Sequence, residues 1–127
     1  MKLSQLPTVD AVLEEELRDP AFREEWERTA LARAVALGVV RYRAQRVLSQ
    51  RKLAEALGWK PAQVARLEQG DHTPSIDTLL HLSRRLGLRF ALSIGPAGAA
   101  PGVLTEDADV VQDVSDDHGT RLLAAAG

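Results

Sequence analysis

Ten of the chain's sixteen lysines and arginines fall between positions 41 and 94: Arg41, Arg43, Arg46, Arg51, Lys52, Lys60, Arg66, Arg84, Arg85 and Arg89. Only Glu55, Glu68, Asp71 and Asp77 oppose them there. Residues 1–40 carry five cations against eight acids, and residues 95–127 one against six. The formal charge of −2 therefore conceals a basic middle between two acidic flanks. Cations grouped in this way attract a polyanion. Catalytic chemistry is not organised anywhere. The three histidines, His72, His81 and His118, form no HExxH pair and accompany no nucleophile elbow. Asp113, Asp116, Asp117 and His118 lack calcium-loop spacing. Gly95, Gly98 and Gly102 do not open a helix after a dinucleotide-binding strand, so they read as linker glycines. Glu14, Glu15 and Glu16 read as a solvated helix face. With no cysteine, neither a disulfide framework nor a thiolate metal site is possible. The expectation is a chain that is not an enzyme and uses no cofactor or metal.

The elements that position these cations are mostly helices. Aromatic residues make up 4% of the sequence and apolar residues 45%, so the core must be built from Leu, Val and Ala, which suit helices. Thr8 or Asp10 caps a first short helix reaching about Arg18, with Val9, Val12, Leu13 and Leu17 on one face. Asp19-Pro20 starts a second, Asp as cap and Pro in the first helical position. Phe22, Trp26 and Ala30, then Leu31, Val35, Val39 and Tyr42, carry helical spacing to about Arg46, either unbroken or bent near Gly38. Ser49 caps a helix ending near Leu57, Pro61 to Gln69 form another, and Ser75 caps a last one with Ile76, Leu79, Leu82 or Ser83, and Leu86 inward. In "LRFALSI" the period changes: Leu88, Phe90, Leu92 and Ile94 alternate with Arg89, Ala91 and Ser93, which is a strand. A lone strand cannot satisfy its backbone. Its expected partner is the same strand of another copy in a two-fold dimer, the alternative being an extended tail lying on the helices. Residues 95–127, with "GPAGAAPG" and "TEDADVVQDVSDD", read as an acidic linker-like tail, disordered or folding on a partner. Ala91 to Thr105 is uncharged but holds Pro96 and Pro101 and is no membrane span, and "MKLSQLPTVDAVLEEE" has no apolar core of signal-peptide length. A cytoplasmic location is expected.

The stretch "LGWKPAQVARLEQG" joins two of these helices. With Gln50 as the first position of a bihelical unit, positions four, eight, ten, fifteen and eighteen face the core shared by two crossed helices. They are Leu53, Leu57, Trp59, Val64 and Leu67, all apolar. Position five, where the backbones approach, is Ala54, and position nine, which must turn sharply, is Gly58. This is the pattern of a helix-turn-helix. The wider sequence "LSQRKLAEALGWKPAQVARLEQGDHTPSIDTLLHLSRRLG", with "V.RLE.G" and "PS..TL..L...LG", resembles the Xre/Cro family of helix-turn-helix DNA-binding domains over about Leu31 to Gly87.

The resemblance implies a mainly α, lambda-repressor-like domain in which the second helix of the unit enters the major groove. It implies Arg66 as a bidentate donor to guanine O6 and N7. Pro61 and Ala62 would offer apolar contacts, Ala65 and Gln69 would lie on the same outer side, and Gln63 would reach phosphate or a base edge. Gln50 would hold phosphate or adenine, and Ser49, Arg51, Lys60, His72 and Thr73 would contact the DNA backbone. Trp59 reads as a core residue rather than a base-stacking one, and Trp26 as a core or interface residue. The resemblance also implies a buried ion pair between Arg43 and Glu68. Two positions depart from the family pattern. Val47 stands where glycine often closes the first helix, and Lys60 where a Ser or Thr cap is usual.

The expected organisation is an N-terminal helical extension (1–30), the helix-turn-helix domain plus one C-terminal strand pairing across a dimer (31–94), and the flexible acidic tail (95–127). The layout further resembles HigA-like antitoxins of type II toxin–antitoxin pairs. That resemblance implies a homodimer that binds its operator in double-stranded DNA, represses its own operon and neutralises a RelE-like toxin. The alternative is a stand-alone regulator of the same family, without a toxin partner.

Overall fold

A computed structural model describes residues 8–98, 108–115 and 119–127. Six helices lead into three strands: α1 (Val9–Glu16), α2 (Pro20–Arg28), α3 (Ala30–Arg46), α4 (Gln50–Leu57), α5 (Pro61–Gln69), α6 (Ile76–Leu86), β1 (Phe90–Pro96), β2 (Val110–Ser115) and β3 (Thr120–Ala126). The starts follow the capping chemistry. Thr8, Asp19, Ser49 and Ser75 each accept a hydrogen bond from a first-turn amide, and Pro20 and Pro61 occupy first helical positions.

The long helical pattern breaks at Thr29, not at Gly38. Thr29 Oγ1 donates to the Glu25 carbonyl at 2.8 Å, a back-bond that bends a helix, and the residue leaves helical geometry at φ −97° and ψ 13°. Gly38 stays inside α3 because β3 lies against it. A Cβ there would sit 2.9 Å from the Ala126 Cβ.

α3 is the shared wall of two cores. One face carries Val35 and Val39 into a cluster with Leu53, Ala54, Leu57, Val64, Leu82, Leu86 and Leu88. The other presents Ala34 and Gly38 to Ala124 and Ala126 of β3 and to Val110 of β2, and Leu31 and Phe90 bridge the two clusters. Small residues on both sides let the sheet sit close on the helix. Ile76, read as inward-facing, is 69% exposed; α6 turns Leu82 and Leu86 to the core instead.

The C-terminal region corrects two expectations. The segment read as a disordered tail supplies β2 and β3, with residues 99–107 and 116–118 outside the described residues. The lone strand therefore has a partner in its own chain: β3 lies between β1 and β2, antiparallel to both, with Leu92 opposite Ala124 and Gln112 opposite Ala124 on the other side. The physical reason is tertiary. "TRLLAAA" has weak strand propensity, but its alanines fit the small-residue face of α3, and that docking decides its state. Leu88 and Phe90, expected in a dimer strand, serve the chain's own core.

The two N-terminal helices pack only lightly on the body, with Glu14, Trp26 and Glu27 facing Asp113 and Ser115 of β2 across a shared cavity. Neither α1 nor α2 contains a buried residue, and Val9 is 84% exposed. Arg33 of α3 ties α2 to the body. Its guanidinium lies 3.5 Å over the Trp26 ring, Nη1 donates to Thr29 Oγ1 at 2.7 Å and to the Trp26 carbonyl, and Nε donates to Gln112 Oε1 of β2 at 3.1 Å. Nη2 is buried with no partner among the described residues. Burial without a carboxylate lowers this guanidinium to about 10, so it remains charged at neutral pH.

Candidate nucleic-acid interface

The junction of α4 and α5 is built by residues chosen for a turn. Gly58 closes α4 at φ 70°, its amide bonding the Glu55 carbonyl, and the Trp59 amide bonds that of Ala54 at 2.9 Å. Trp59 is half-buried against the core and stacks on His81 of α6 at 5.4 Å between ring centres. His81 Nε2–H donates to the Leu57 carbonyl at 2.7 Å, so α6 holds the end of α4 directly. That contact gives His81 a structural place that its sequence position did not reveal.

One ion pair fixes α5 against α3. Arg43 Nε and Nη2 donate to the two Glu68 oxygens at 2.6 and 3.0 Å, and Nη1 donates to the Leu48 carbonyl at 3.0 Å. The Glu68 side chain is 6% exposed. The carboxylate beside it raises the Arg43 guanidinium above its ordinary value. Gln50 Nε2 donates to Glu68 Oε2 at 3.2 Å, which anchors the first residue of α4 to the same group. Three helices thus meet at one carboxylate, and Arg43 ties the turn between α3 and α4 to the same pair.

That turn is strained. Val47 closes α3 in the left-handed region, φ 54° and ψ 46°, the one non-glycine residue with positive φ among those described. The Leu48 amide bonds the Arg43 carbonyl at 2.9 Å and the Val47 amide that of Ala44, the geometry a glycine would adopt without cost. The valine side chain gains nothing in return, at 92% exposed.

The outer side of this scaffold is open. Ser49, Arg51, Lys60, Pro61, Ala62, Gln63, Arg66, Gln69, His72 and Thr73 are at least partly exposed, and Gln50 is half-buried. Ser49 spends one lone pair on the Lys52 amide and keeps its hydroxyl proton. Lys60 has no acceptor to cap α5; Gln63 Oε1 instead accepts the Lys60 amide at 2.8 Å. Pro61 has no amide, and that of Ala62 finds no acceptor among the described residues. Arg51, Lys60 and Arg66 have no ion-pair partner among the described residues, whereas Lys52 meets Glu55 at 3.6 Å.

Gln63 and Arg66 of α5, His72 and Thr73 of the loop, Ser75 at the cap of α6 and Thr78 within it line one open groove of about 300 Å³. Ser49, Gln50, Arg51, Lys60, Pro61, Ala62 and Gln69 do not line it. His72 Nδ1 lies 2.6 Å from an Asp71 carboxylate oxygen, and this contact holds the Asp71 carboxyl below its ordinary range. The sequence pattern did not mark Ser75 and Thr78 as surface groups of the interface. Ser75 reads from sequence only as a cap, while "TPS" leading into a helix is the signal that brings Thr73 and Ser75 to the groove that Arg66 lines.

An exposed helix carrying an accessible arginine, held on a second helix by a tight glycine turn, is what DNA-reading bihelical units present. Residues 40–92 match the helix-turn-helix family. The match spans α3 from its second half, the whole bihelical unit, α6 and the start of β1. It supports a DNA-binding transcription regulator. No curated protein and no solved structure matches the chain. The helix-turn-helix leaves α1, α2, β2 and β3 outside its bounds. No helix among the described residues is long and apolar enough to cross a membrane.

Proposed function

We propose that the protein is a sequence-specific repressor that lays α5 in the major groove of operator DNA. The observation that carries this reading is Arg66: solvent-accessible, without an ion-pair partner among the described residues, and beside Gln63, whose amide hydrogens remain available after its oxygen is used at the helix start. A guanidinium so placed suits the O6 and N7 of guanine. Lys60, Arg51, Ser49 and the open Ala62 amide suit phosphates, with His72 and Thr73 at the groove's far wall. Gln50 is anchored by its nitrogen on Glu68, which leaves its oxygen as the group for a base or a bridging water.

The experiment is operator footprinting and binding across salt with Arg66→Ala. Loss of one bidentate contact should cost about 1–3 kcal/mol and relax preference at one base pair per half-site. Affinity of the unmodified chain should fall steeply with salt, because phosphate contacts release counterions. An unchanged base preference in the variant would remove Arg66 from the reading role.

A further role as the antitoxin of a type II pair is favoured by the N-terminal arm. Two helices that bury no residue of their own, with Val9 and Val12 exposed beside Asp10, Glu14, Glu15 and Glu16, have an acidic amphipathic surface to offer a basic protein. A RelE-like ribonuclease fits that chemistry. Co-expression with a neighbouring short gene for such a protein should yield a complex. A chain that captures no such neighbour at any stoichiometry is a stand-alone regulator.

A further inference from the structure

The cavity between the N-terminal arm and the sheet measures about 370 Å³ and lies along the outer edge of β2. The backbone of that edge is open. Arg89 and Gly127 exchange both hydrogen bonds, at 2.7 and 3.0 Å, so odd-numbered residues of β3 bond β1 and even-numbered ones bond β2. Pairing Val110 with Ala126, Gln112 with Ala124 and Val114 with Leu122, β2 spends its even-numbered backbone groups on β3. Val111, Asp113 and Ser115 therefore turn three amides and three carbonyls outward, and among the described residues nothing bonds them. The next outward carbonyl, that of Asp109, is taken by Arg41 Nη1, which closes the edge at that end. Side chains sort by the same alternation. Gln112 meets Arg33 on the α3 side, so Val114 points there too, and with Leu17 and Trp26 it gives the cavity its apolar walls. Asp113 points to the opposite face, where Arg121 neutralises it at 2.7 and 2.9 Å. The charge that would otherwise guard this edge is thus already paired.

We propose that this edge takes an extended, basic segment of another protein as an added strand, antiparallel to β2 and flanked by α1 and α2. Antiparallel pairing is the more stable, and strand addition draws its affinity from main-chain hydrogen bonds that need no particular sequence. The charge of the arm selects the occupant. Residues 8–28 carry eight acids against three arginines. Of the cavity's own charges, Arg23 is bonded to Glu27 at 3.0 Å and Arg18 offsets Glu14, so the attraction comes from the arm as a whole. A second copy is the wrong occupant, because two-fold pairing of β2 edges would set one acidic arm against another. Lysine or arginine on the arm side of the added strand fits the walls, its stem along Trp26 and its head out toward the arm's carboxylates. On the opposite face a β-branched residue meets Val111, which is 42% exposed. This pairing builds on the reading of the arm as a surface for a basic protein, and adds that the captured segment is a strand.

The probe is a capped hexapeptide of alternating valine and lysine, added to the full chain. Bound antiparallel, it turns the valine amides to β2 and the lysine side chains to the arm. Hydrogen exchange read by NMR should slow by at least about tenfold at the amides of Val111, Asp113 and Ser115 when the peptide saturates the chain. It should change little at Gln112 and Val114, which β3 already bonds. N-methylation of the valines should weaken binding at least about tenfold, since each methyl removes a bonded donor, and N-methylation of the lysines should leave it nearly unchanged. Glutamate in place of lysine should abolish it. The proposal is overturned if the parent peptide does not bind below about 1 mM, or if the two methylated isomers bind alike. It is also overturned if the three outward amides are already protected in the free chain, because a second copy or another segment of this chain then fills the edge. A basic protein captured on co-expression that leaves those amides unprotected would keep the reading of the arm and overturn the added strand. Failure of peptide and neighbour alike would remove both.

Discussion

Gly38→Ala puts the docking of the C-terminal sheet to a numerical test. In an isolated helix the change stabilises by about 0.8–1 kcal/mol, since alanine is the better helix former. Here the new Cβ would lie 2.9 Å from the Ala126 Cβ, against an ordinary carbon contact of about 3.5–4.0 Å. Both α3 and β3 are held by other contacts, so the overlap forces a shift costing about 1–3 kcal/mol. The net expectation is a loss of up to about 2 kcal/mol. Ala126→Gly alone loses a fully buried methyl, about 0.8 kcal/mol, and weakens the strand by a further 0.5–1 kcal/mol or so. Together the two changes move one methyl from strand to helix and abolish the overlap. The double variant should then lie within about 1 kcal/mol of the native chain, a coupling of about 1–3 kcal/mol. Urea unfolding followed by circular dichroism, at one fixed protein concentration, measures all four species. The refuting results are specific. Gly38→Ala stabilising by about 1 kcal/mol would mean that β3 does not cover Gly38, and additivity within about 0.5 kcal/mol would mean that the residues do not touch.

Three further outcomes are expected. Val47→Gly should raise the urea midpoint: relief of the left-handed strain releases about 1–2 kcal/mol, and glycine's looser unfolded chain returns about 0.5–1. The valine side chain, 92% exposed, has almost no packing to give up. Val47→Asn should act in the same direction; a lowered midpoint in both variants would contradict the observed turn. Arg43→Met should cost about 3–5 kcal/mol by leaving Glu68 charged, buried and without its main partner, while Arg43→Met with Glu68→Leu should recover most of that loss by thermal and urea unfolding. On β2 and β3, Arg121 donates to Asp113 at 2.7 and 2.9 Å and holds its carboxyl below the ordinary value. A depressed folded-state value means that the contribution is present above about pH 4 and is lost as pH falls through the folded value. Asp113 is 46% exposed, so the effect is under about 1 kcal/mol, and Asp113→Asn should flatten the stability profile slightly below pH 4 and leave its shape at neutral pH unchanged.

The bihelical unit was legible in the sequence because its constraints are local. Gly58 permits one turn, Ser49 and Ser75 cap one residue each, and Leu53, Leu57, Val64 and Leu67 repeat at helical spacing, so each signal lies within a few residues of its effect. The cations of the interface were visible for the same reason, as were the two departures at Val47 and Lys60. Those departures marked where the backbone strains and where Gln63 takes over part of a cap. Tertiary structure alone decided the rest. Whether "TRLLAAA" is helix, tail or strand depends on Ala34 and Gly38, far earlier in the chain, and alanine by itself does not select a sheet. With β3 in place, β1 keeps one edge satisfied and one open, a distinction set by the parity of a hydrogen-bond ladder rather than by any residue type. The same holds for Ser75, Thr78 and His81, whose neighbours across the groove and the turn are distant in sequence. Caps and periods are written in consecutive residues; a strand's partner and a groove's far wall belong to another part of the chain.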